Sequence, residues 1–285
     1  MSMFKISVII PAYNEEKSIK KVISDLQVCI SQECEIIVVD DGSTDETPQI
    51  IEKISGIKII HLSENKGYGA ALKAGIRKSE GEFILIIDAD GTYPAESISE
   101  LLSQKDHYDM VVGARTNPQS QIPISRRPAK WMLNQLANYL TRTKILDLNS
   151  GLRIIRKDVL NRFIHLLPDG FSFTTTITLA LLTNGYQVKY VPINYYKRKG
   201  KSKIRPVGDT LNFFQLIIKT ILYFNPLKIF IPFSLIIFAA AIIIGIYSIL
   251  FTPKFMDTTF IILCATALQT FFFGLIAELI THTKK

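Results

Sequence analysis

Apolar and polar positions along the first two thirds of the chain follow two periodicities. Short runs of mostly apolar residues, such as Lys5–Ile10, Glu35–Val39 and Ile57–Leu62, predict strands. The segments between them carry apolar residues three and four positions apart, which predicts amphipathic helices; Glu16–Ile30 is the clearest case. Strands that alternate with helices imply right-handed crossovers, so the pattern predicts an α/β domain with a Rossmann-like, mostly parallel sheet.

The apolar run Phe83–Ile87 predicts a buried strand, and it ends in two carboxylates, Asp88 and Asp90. Ligands of open α/β sheets bind at the carboxyl ends of the strands. Two oxygen donors on one side of such an edge suit Mg²⁺ or Mn²⁺ carrying a diphosphate. The alternative is an acidic turn without a ligand, since Asp and Gly are common turn residues.

The last sixty residues have a different composition. Ile229–Phe251 contains no charged residue, and Thr258–Leu279 contains Gln269 and Glu278 as its strongly polar members. Each run exceeds the roughly 20 residues that cross a bilayer, which predicts two transmembrane helices at about 229–251 and 258–280. Apolar residues at helical spacing in Thr210–Phe224 predict an interfacial helix. The predicted organisation is a catalytic domain over 1–205, an interfacial helix over 206–225 and a membrane hairpin over 226–285.

The charge distribution predicts the orientation and the partners. Positive residues precede the first span and follow the second, so the catalytic domain and both termini are expected in the cytoplasm. No secretory signal peptide is expected at the start of the chain. The net charge of +8 suits a surface that faces anionic lipid. No nucleic-acid-binding motif occurs, and the sequence leaves the oligomeric state open, a homo-oligomer included.

Other cofactor and metal classes lack their signatures. The turn after the first predicted strand reads PAYNEE and has no glycine, which excludes a dinucleotide-binding Gly-x-Gly-x-x-Gly turn. The three cysteines and four histidines have no metal-ligand spacing. The acidic residues Glu15, Asp41, Asp88 and Asp90, which follow three predicted strands, therefore point to a sugar-nucleotide with its divalent cation.

Several ordered motifs resemble those of a known family. VIIPAYNEE, IIVVDDGSTDET, ENKGYGAALKAGI and FILIIDADGTYP resemble the family 2 glycosyltransferases, which have the GT-A fold. DLNSGLRIIRKDV, PDGFSFTTTITLALLTNGY and YYKRKGKSKI are similar to the branch that transfers a sugar to a polyprenyl phosphate, such as dolichol-phosphate mannosyltransferases. The resemblance covers residues 5–205 and leaves the donor open between GDP-mannose, UDP-glucose and other sugar-nucleotides.

The resemblance implies roles for individual residues. Asp88 and Asp90 would hold the metal, and Thr92 stands where the family often has a Gln ligand. The nucleotide-sugar would contact Pro11, Tyr13, Glu15, Val39, Asp41, Asp88 and Ala89. The expected catalytic residues are Asp90 with the cations Arg115, Arg198 and Lys203. The acceptor phosphate would bind Lys130 and Asn134, four residues apart on a predicted helix, with Arg127 as a further candidate.

The chemistry predicted for this acceptor is a single displacement. A phosphate monoester is already an anion at neutral pH, so its attack on the anomeric carbon needs no general base. The enzyme must bring two anions together and stabilise the leaving diphosphate, which cations do electrostatically. One displacement inverts the anomeric centre. Two alternatives remain: a processive polysaccharide synthase, and a membrane scaffold that has lost its chemistry.

Overall fold

The computed structural model describes residues 5–30, 34–116, 141–170, 172–196, 225–252 and 257–283, with isolated positions at 135, 137–139, 215, 218–219 and 221–223. The chain forms two compact units, Met1–Phe214 and Gln215–Lys285. The three-part division expected from the sequence, with boundaries after residues 205 and 225, stays a prediction. The predicted helix at 206–225 lies mostly outside the described residues, and its described positions before 225 are helical.

The first unit is built on one sheet of seven strands, in the order β3-β2-β1-β4-β6-β5-β7. Neighbouring strands are parallel except around β6, which runs antiparallel to both β4 and β5. The mostly parallel α/β sheet predicted from the sequence is thus confirmed. The strands are β1 (Ile6–Ala12), β2 (Cys34–Asp40), β3 (Lys58–His61), β4 (Phe83–Ile86), β5 (Met110–Ala114), β6 (Arg153–Arg156) and β7 (Val188–Pro192).

Helices connect the strands and cover the sheet. The helix predicted over Glu16–Ile30 forms over Ile19–Cys29, because its apolar face packs on the sheet. The helices are α1 (Ile19–Cys29), α2 (Thr47–Glu52), α3 (Tyr68–Lys78), α4 (Ser97–Gln104), α5 (Lys157–Phe163), a 3₁₀ turn (Ile164–Leu166) and α6 (Phe173–Thr183).

The hydrophobic core explains why the strand sequences are almost continuously apolar. β1 lies between β2 and β4, and every residue of β1 and β4 is buried. Val8, Val38 and Leu85, from three adjacent strands, have no solvent exposure. A sheet covered on both faces leaves no polar side to its strands. Polar side chains therefore collect where the strands end.

The second unit contains two helices that pack closely on each other. They are α7 (Leu227–Phe251) and α8 (Asp257–Thr283), both long and apolar enough to cross a membrane. Two glycines allow the close packing: a Cβ at Gly245 would lie 3.1 Å from the ring of Phe260, and one at Gly274 would lie 2.6 Å from Phe230. Large apolar side chains on the outer faces are exposed, which suits a lipid environment.

A buried carboxylate joins four segments at the amino ends of the strands. Glu35, at the start of β2, is 4% exposed and accepts hydrogen bonds from the Ser7 hydroxyl and from the Glu80 backbone N–H. Lys58 Nζ on β3 lies 2.8 Å from Glu35 Oε2. Burial alone would raise the pKa of Glu35, but the hydrogen bonds from Lys58, Ser7 and Glu80 outweigh it and lower the pKa.

We expect Glu35→Gln to lower the free energy of unfolding at neutral pH by about 1–3 kcal/mol, because the buried donors lose a charged acceptor. A lowered carboxyl pKa adds stability above the pKa of the unfolded chain, and this contribution is lost as the pH falls through the folded-state value. The wild type should therefore lose more thermal stability between neutral pH and about pH 4 than the variant does. Thermal unfolding of detergent-purified protein across this range measures both effects. The control is Glu82→Gln, an exposed carboxylate nearby; equal pH profiles for wild type and Glu35→Gln would contradict the assignment.

Candidate active site

The carboxyl ends of β1, β2 and β4 meet at one edge of the sheet and open into a cavity of about 280 Å³. Open α/β sheets bind their ligands at this edge. Most site residues predicted in the described part of the chain line this one cavity, although they come from four separate stretches of sequence. They are Pro11, Tyr13, Glu15, Asp41, Asp88, Ala89, Asp90 and Arg115.

Val39 is a predicted nucleotide contact that does not line this cavity. Its side chain has no solvent exposure, and its Cγ2 would lie 3.2 Å from a Cβ placed at Gly75 in α3. Val39 therefore belongs to the packing between β2 and α3. The residue lies inside the strand under the covering helix, and its contact with a nucleotide stays a prediction.

Asp41 has a structural task that the sequence did not indicate. The residue is 3% exposed, and its two carboxylate oxygens accept the backbone N–H groups of Lys66 and Gly67 at 2.8 and 2.9 Å. Gly42 makes this docking feasible, because a Cβ there would lie 2.5 Å from the carbonyl carbon of Glu64. Asp41 thus holds the loop before α3 against the end of β2. Its contact with a nucleotide base stays a prediction.

Asp88 lies in a tight setting between two segments. Its Oδ1 accepts a hydrogen bond from the Tyr68 hydroxyl at 2.9 Å. On the other side, a Cβ at Gly151 would lie only 2.2 Å from Oδ2, so only glycine allows this approach. Burial and the nearby charge of Asp90 raise the pKa of Asp88 to about 6. A cation between the two carboxylates would relieve this repulsion.

Asp90 is oriented by its own turn. Its Oδ1 accepts from the Thr92 hydroxyl at 2.6 Å and from the Thr92 backbone N–H at 3.1 Å. Thr92 has no solvent exposure and does not line the cavity. Thr92 therefore orients Asp90 from outside the cavity and does not take the place of the Gln ligand common in the family.

The donor set fits a divalent cation that also binds substrate. Within the described ranges, no group of three or more His, Cys, Asp or Glu side chains could hold a metal ion. Asp88 and Asp90 offer carboxylate oxygens to the same cavity, which is the minimal protein contribution for Mg²⁺ or Mn²⁺. Such an ion takes its other ligands from water and from phosphate oxygens.

Arg115 supplies a fixed positive charge to the cavity. Its guanidinium forms a two-pronged pair with Asp147, with distances of 2.7 and 2.9 Å, and its centre lies 5.2 Å from the middle of the Tyr195 ring. Burial alone would lower the pKa of Arg115, but the hydrogen bonds to Asp147 keep it well above the usual value. The side chain is held in one orientation at the cavity wall, and it remains charged.

Arg153 supports the turn over residues 147–151 and connects it to α6. This arginine has no solvent exposure and donates to the Thr174 carbonyl at 2.9 Å and to the Thr178 hydroxyl at 3.0 Å, both in α6. The same turn is also bound to Tyr93, because the Gly151 N–H donates to the Tyr93 hydroxyl at 2.7 Å. These contacts keep Gly151 against Asp88. Asn149 and Gly151 of this turn line the cavity.

Sequence reasoning missed three tyrosines in this cavity: Tyr68, Tyr93 and Tyr195. All three occur in the quoted motifs, but no role was predicted for them. Tyr93 and Tyr195 come together from two motifs that are far apart in the sequence, with ring centroids 5.4 Å apart. Nothing in the local sequence indicates contacts between residues so far apart.

Five predicted residues lie outside the described part of the chain. Arg127, Lys130 and Asn134 fall in the gap after position 116, and Arg198 and Lys203 fall in the gap after position 196. The acceptor-phosphate role of the first three and the catalytic role of Arg198 and Lys203 stay predictions from the resemblance.

Comparison with known proteins agrees with this geometry. Residues 7–164 match the model of the glycosyl transferase family 2, and residues 225–283 match the GtrB C-terminal hairpin. The chain is 32% identical over 203 residues to a dolichyl-phosphate hexose transferase of Haloferax volcanii, covering 70% of this chain and 87% of that protein. It is 30% identical over 212 residues to a polyprenol monophosphomannose synthase of Mycolicibacterium smegmatis, covering 69% and 80%.

The fold also matches solved structures. The structure of S. aureus TarS residues 1–349 in complex with UDP-GlcNAc has a TM-score of 0.57 and 25% identity, covering 78% of this chain and 68% of that one. The GT-A type of sheet predicted from the motifs is thereby confirmed. The family match spans the strands that build the acidic cavity, and the hairpin match spans both apolar helices. The chain therefore belongs to glycosyl transferase family 2 and is a glycosyltransferase with a C-terminal hairpin of the GtrB type.

Proposed function

We propose that this protein transfers a hexose from a nucleotide-sugar to a polyprenyl phosphate at a membrane surface. The observation that carries the proposal is the acidic pair Asp88 and Asp90, which shares a cavity with the fixed cation Arg115. A carboxylate pair that needs a cation suits a metal-bound diphosphate, and the guanidinium suits a phosphate group. The polyprenyl-phosphate acceptor is supported by the names of the two relatives above.

The donor is a sugar-nucleotide of the GDP-mannose or UDP-glucose type. TarS, with 25% identity, is solved with UDP-GlcNAc, which supports a nucleoside diphosphate sugar in this kind of cavity. Tyr13, at the cavity wall after β1, offers an aromatic face to a base. Mg²⁺ or Mn²⁺, held by Asp88 and Asp90, would neutralise the charge of the diphosphate as it leaves.

The proposed reaction is one displacement. An oxygen of the acceptor phosphate forms a bond to the anomeric carbon, while the bond from that carbon to the diphosphate oxygen breaks and its electron pair leaves with the nucleoside diphosphate. The acceptor oxygen is already ionised, so no proton is removed in this step. The anomeric configuration inverts. Arg115 would stabilise phosphate charge during this step, because its orientation is set in advance by Asp147 and Tyr195.

The hairpin of α7 and α8 would anchor the protein in the membrane in which a polyprenyl phosphate resides. Both helices expose large apolar side chains, and the GtrB hairpin match covers them. We propose the orientation expected from the charge distribution, with the catalytic unit and both chain ends in the cytoplasm.

The direct test supplies detergent-purified protein with Mn²⁺, a short polyprenyl phosphate and one labelled nucleotide-sugar at a time. The expected product is a lipid-linked monosaccharide formed from one donor, with the inverted anomeric configuration by NMR. Polymer formation would instead favour a processive synthase. Absence of transfer and of donor hydrolysis with every nucleotide-sugar would favour an inactive scaffold.

We expect Asp90→Asn to lower the transfer rate by on the order of 10²–10³-fold, because it weakens the site that stabilises the leaving diphosphate. The rate is measured at saturating donor and acceptor, with Mg²⁺ and with Mn²⁺. The matched control is Asp106→Asn, which removes an exposed carboxylate outside the cavity and should leave the rate unchanged. Near-normal turnover of Asp90→Asn would contradict the metal assignment.

We expect Arg115→Met to lower kcat by on the order of 10²-fold, and Arg115→Lys to recover only part of this loss. Lysine keeps the charge but cannot form the two-pronged pair with Asp147 or stack on Tyr195 in the same way. Single-turnover transfer of a labelled sugar measures the effect. The control is Arg156→Met, an arginine at the end of β6 that lies outside the cavity. Full activity of Arg115→Lys would mean that charge alone matters.

A further inference from the structure

Tyr68 has a contact that no role assigned so far explains. It is the first residue of α3, it lines the cavity, and its hydroxyl donates to Asp88 Oδ1 at 2.9 Å. A hydrogen bond from a neutral donor to a carboxylate fixes the plane of that carboxylate. The side chain of Asp88 could otherwise rotate toward other positions in the cavity.

The start of α3 is held so that Tyr68 cannot easily move. Asp169 O accepts the Ala70 N–H at 3.0 Å, and Lys73 Nζ forms an ion pair with Asp169 at 2.8 Å. A Cβ at Gly69 would lie 2.1 Å from the Pro168 carbonyl oxygen, so the helix start and this loop are in direct backbone contact. Together with the bonds from Asp41 to the preceding loop, these contacts fix the helix that carries Tyr68.

Gly151 restricts Asp88 from the opposite side. The missing side chain at Gly151 leaves just enough room for the carboxylate, and the Gly151 N–H is itself bound to the Tyr93 hydroxyl. Asp88 is therefore confined between a hydrogen-bond donor on α3 and a backbone turn that Arg153 fastens to α6. The two confining elements are far apart in sequence and independently supported.

We propose that Tyr68 is a positioning residue that holds the Asp88 carboxylate in the orientation needed to bind a divalent cation together with a nucleoside diphosphate. This inference rests on the proposed function, because that function places the cation at Asp88. Partners that orient a ligating carboxylate commonly matter about 10- to 100-fold for metal affinity. Tyr68 acts through Asp88 and is not itself a ligand.

The test uses Tyr68→Phe in the full-length, detergent-purified chain, which removes the hydroxyl and keeps the ring. Mn²⁺ affinity is measured by the EPR signal of free Mn²⁺, with UDP or GDP present at a fixed concentration. We expect the Mn²⁺ affinity to fall about 10- to 100-fold. The matched control is Tyr190→Phe: its hydroxyl is buried in the same unit, with no hydrogen-bond partner among the described residues, and its loss should not change Mn²⁺ affinity.

Kinetics separate positioning from general damage. The Mn²⁺ concentration for half-maximal transfer should rise in Tyr68→Phe, while kcat at saturating Mn²⁺ should return to within about threefold of wild type, because excess metal offsets a weakened ligand. Gly151→Ala, which pushes on Asp88 from the other side, should also weaken Mn²⁺ binding. Unchanged Mn²⁺ affinity in Tyr68→Phe, or a kcat loss that Mn²⁺ does not rescue, would overturn the proposal.

The Mn²⁺ binding of the wild type distinguishes a failure of the proposed metal site from a failure of the role proposed for Tyr68. If the wild type binds Mn²⁺ with UDP or GDP, and Asp88→Asn abolishes this binding, the metal site stands whether or not Tyr68 matters. If the wild type binds no Mn²⁺ with either nucleotide, the metal part of the proposed function fails, and the role of Tyr68 fails with it.

Discussion

The structure depends on the crowding of carboxylates at the carboxyl ends of two parallel strands, β2 and β4. Asp41, after β2, and Asp88 and Asp90, after β4, all line one cavity. Burial of like charges costs free energy unless donors or cations offset it. Each of these carboxylates accepts a hydrogen bond from a specific donor. The donors are a backbone N–H for Asp41, the Tyr68 hydroxyl for Asp88 and the Thr92 hydroxyl for Asp90. Burial and the nearby charge of Asp90 still raise the pKa of Asp88, and a cation between the two carboxylates would lower it.

Each donor in turn links the cavity to a different part of the fold. The Asp41 contacts fix the start of α3, and α3 presents Tyr68 to Asp88. Across the cavity, Arg153 and Tyr93 fix the turn that brings Gly151 against the same carboxylate. The antiparallel strand β6 begins directly after this turn, so the one departure from a parallel sheet serves the site. A metal site with two carboxylates requires such support, since small displacements of its ligands weaken binding.

The positive charges in the described cavity wall and directly behind it are also fixed in advance. Arg115 pairs with Asp147 and lies against Tyr195, while Arg153 lies buried under the turn. A charge already oriented before substrate binds needs no reorganisation during the reaction, which is the condition for electrostatic catalysis. The hairpin is a different kind of element, because its two apolar helices are long enough to cross a membrane and suggest that the protein is membrane-anchored.

The sequence by itself determined the fold class and much of the site. Short apolar runs bounded by turn residues predicted strands of a covered sheet, and Asp88 and Asp90 were predicted as a site at the end of one such run. Arg115 was predicted from the family resemblance. The long apolar runs at 229–251 and 258–280 predicted the two apolar helices by composition alone. These features depend on local pattern, which periodicity and hydropathy record directly.

Tertiary structure alone decided which side chains contact one another. Tyr68 and Asp88 are 20 residues apart in the sequence, and Arg115 and Asp147 are 32 residues apart. No local pattern therefore encodes either pair. Val39 lay beneath α3 and not in the cavity, because the helix covers that part of the strand. Thr92 stands where the family often has a Gln ligand, and here its buried side chain donates a hydrogen bond to Asp90. Contacts between distant segments follow from how helices and strands pack, and a single sequence does not record that packing.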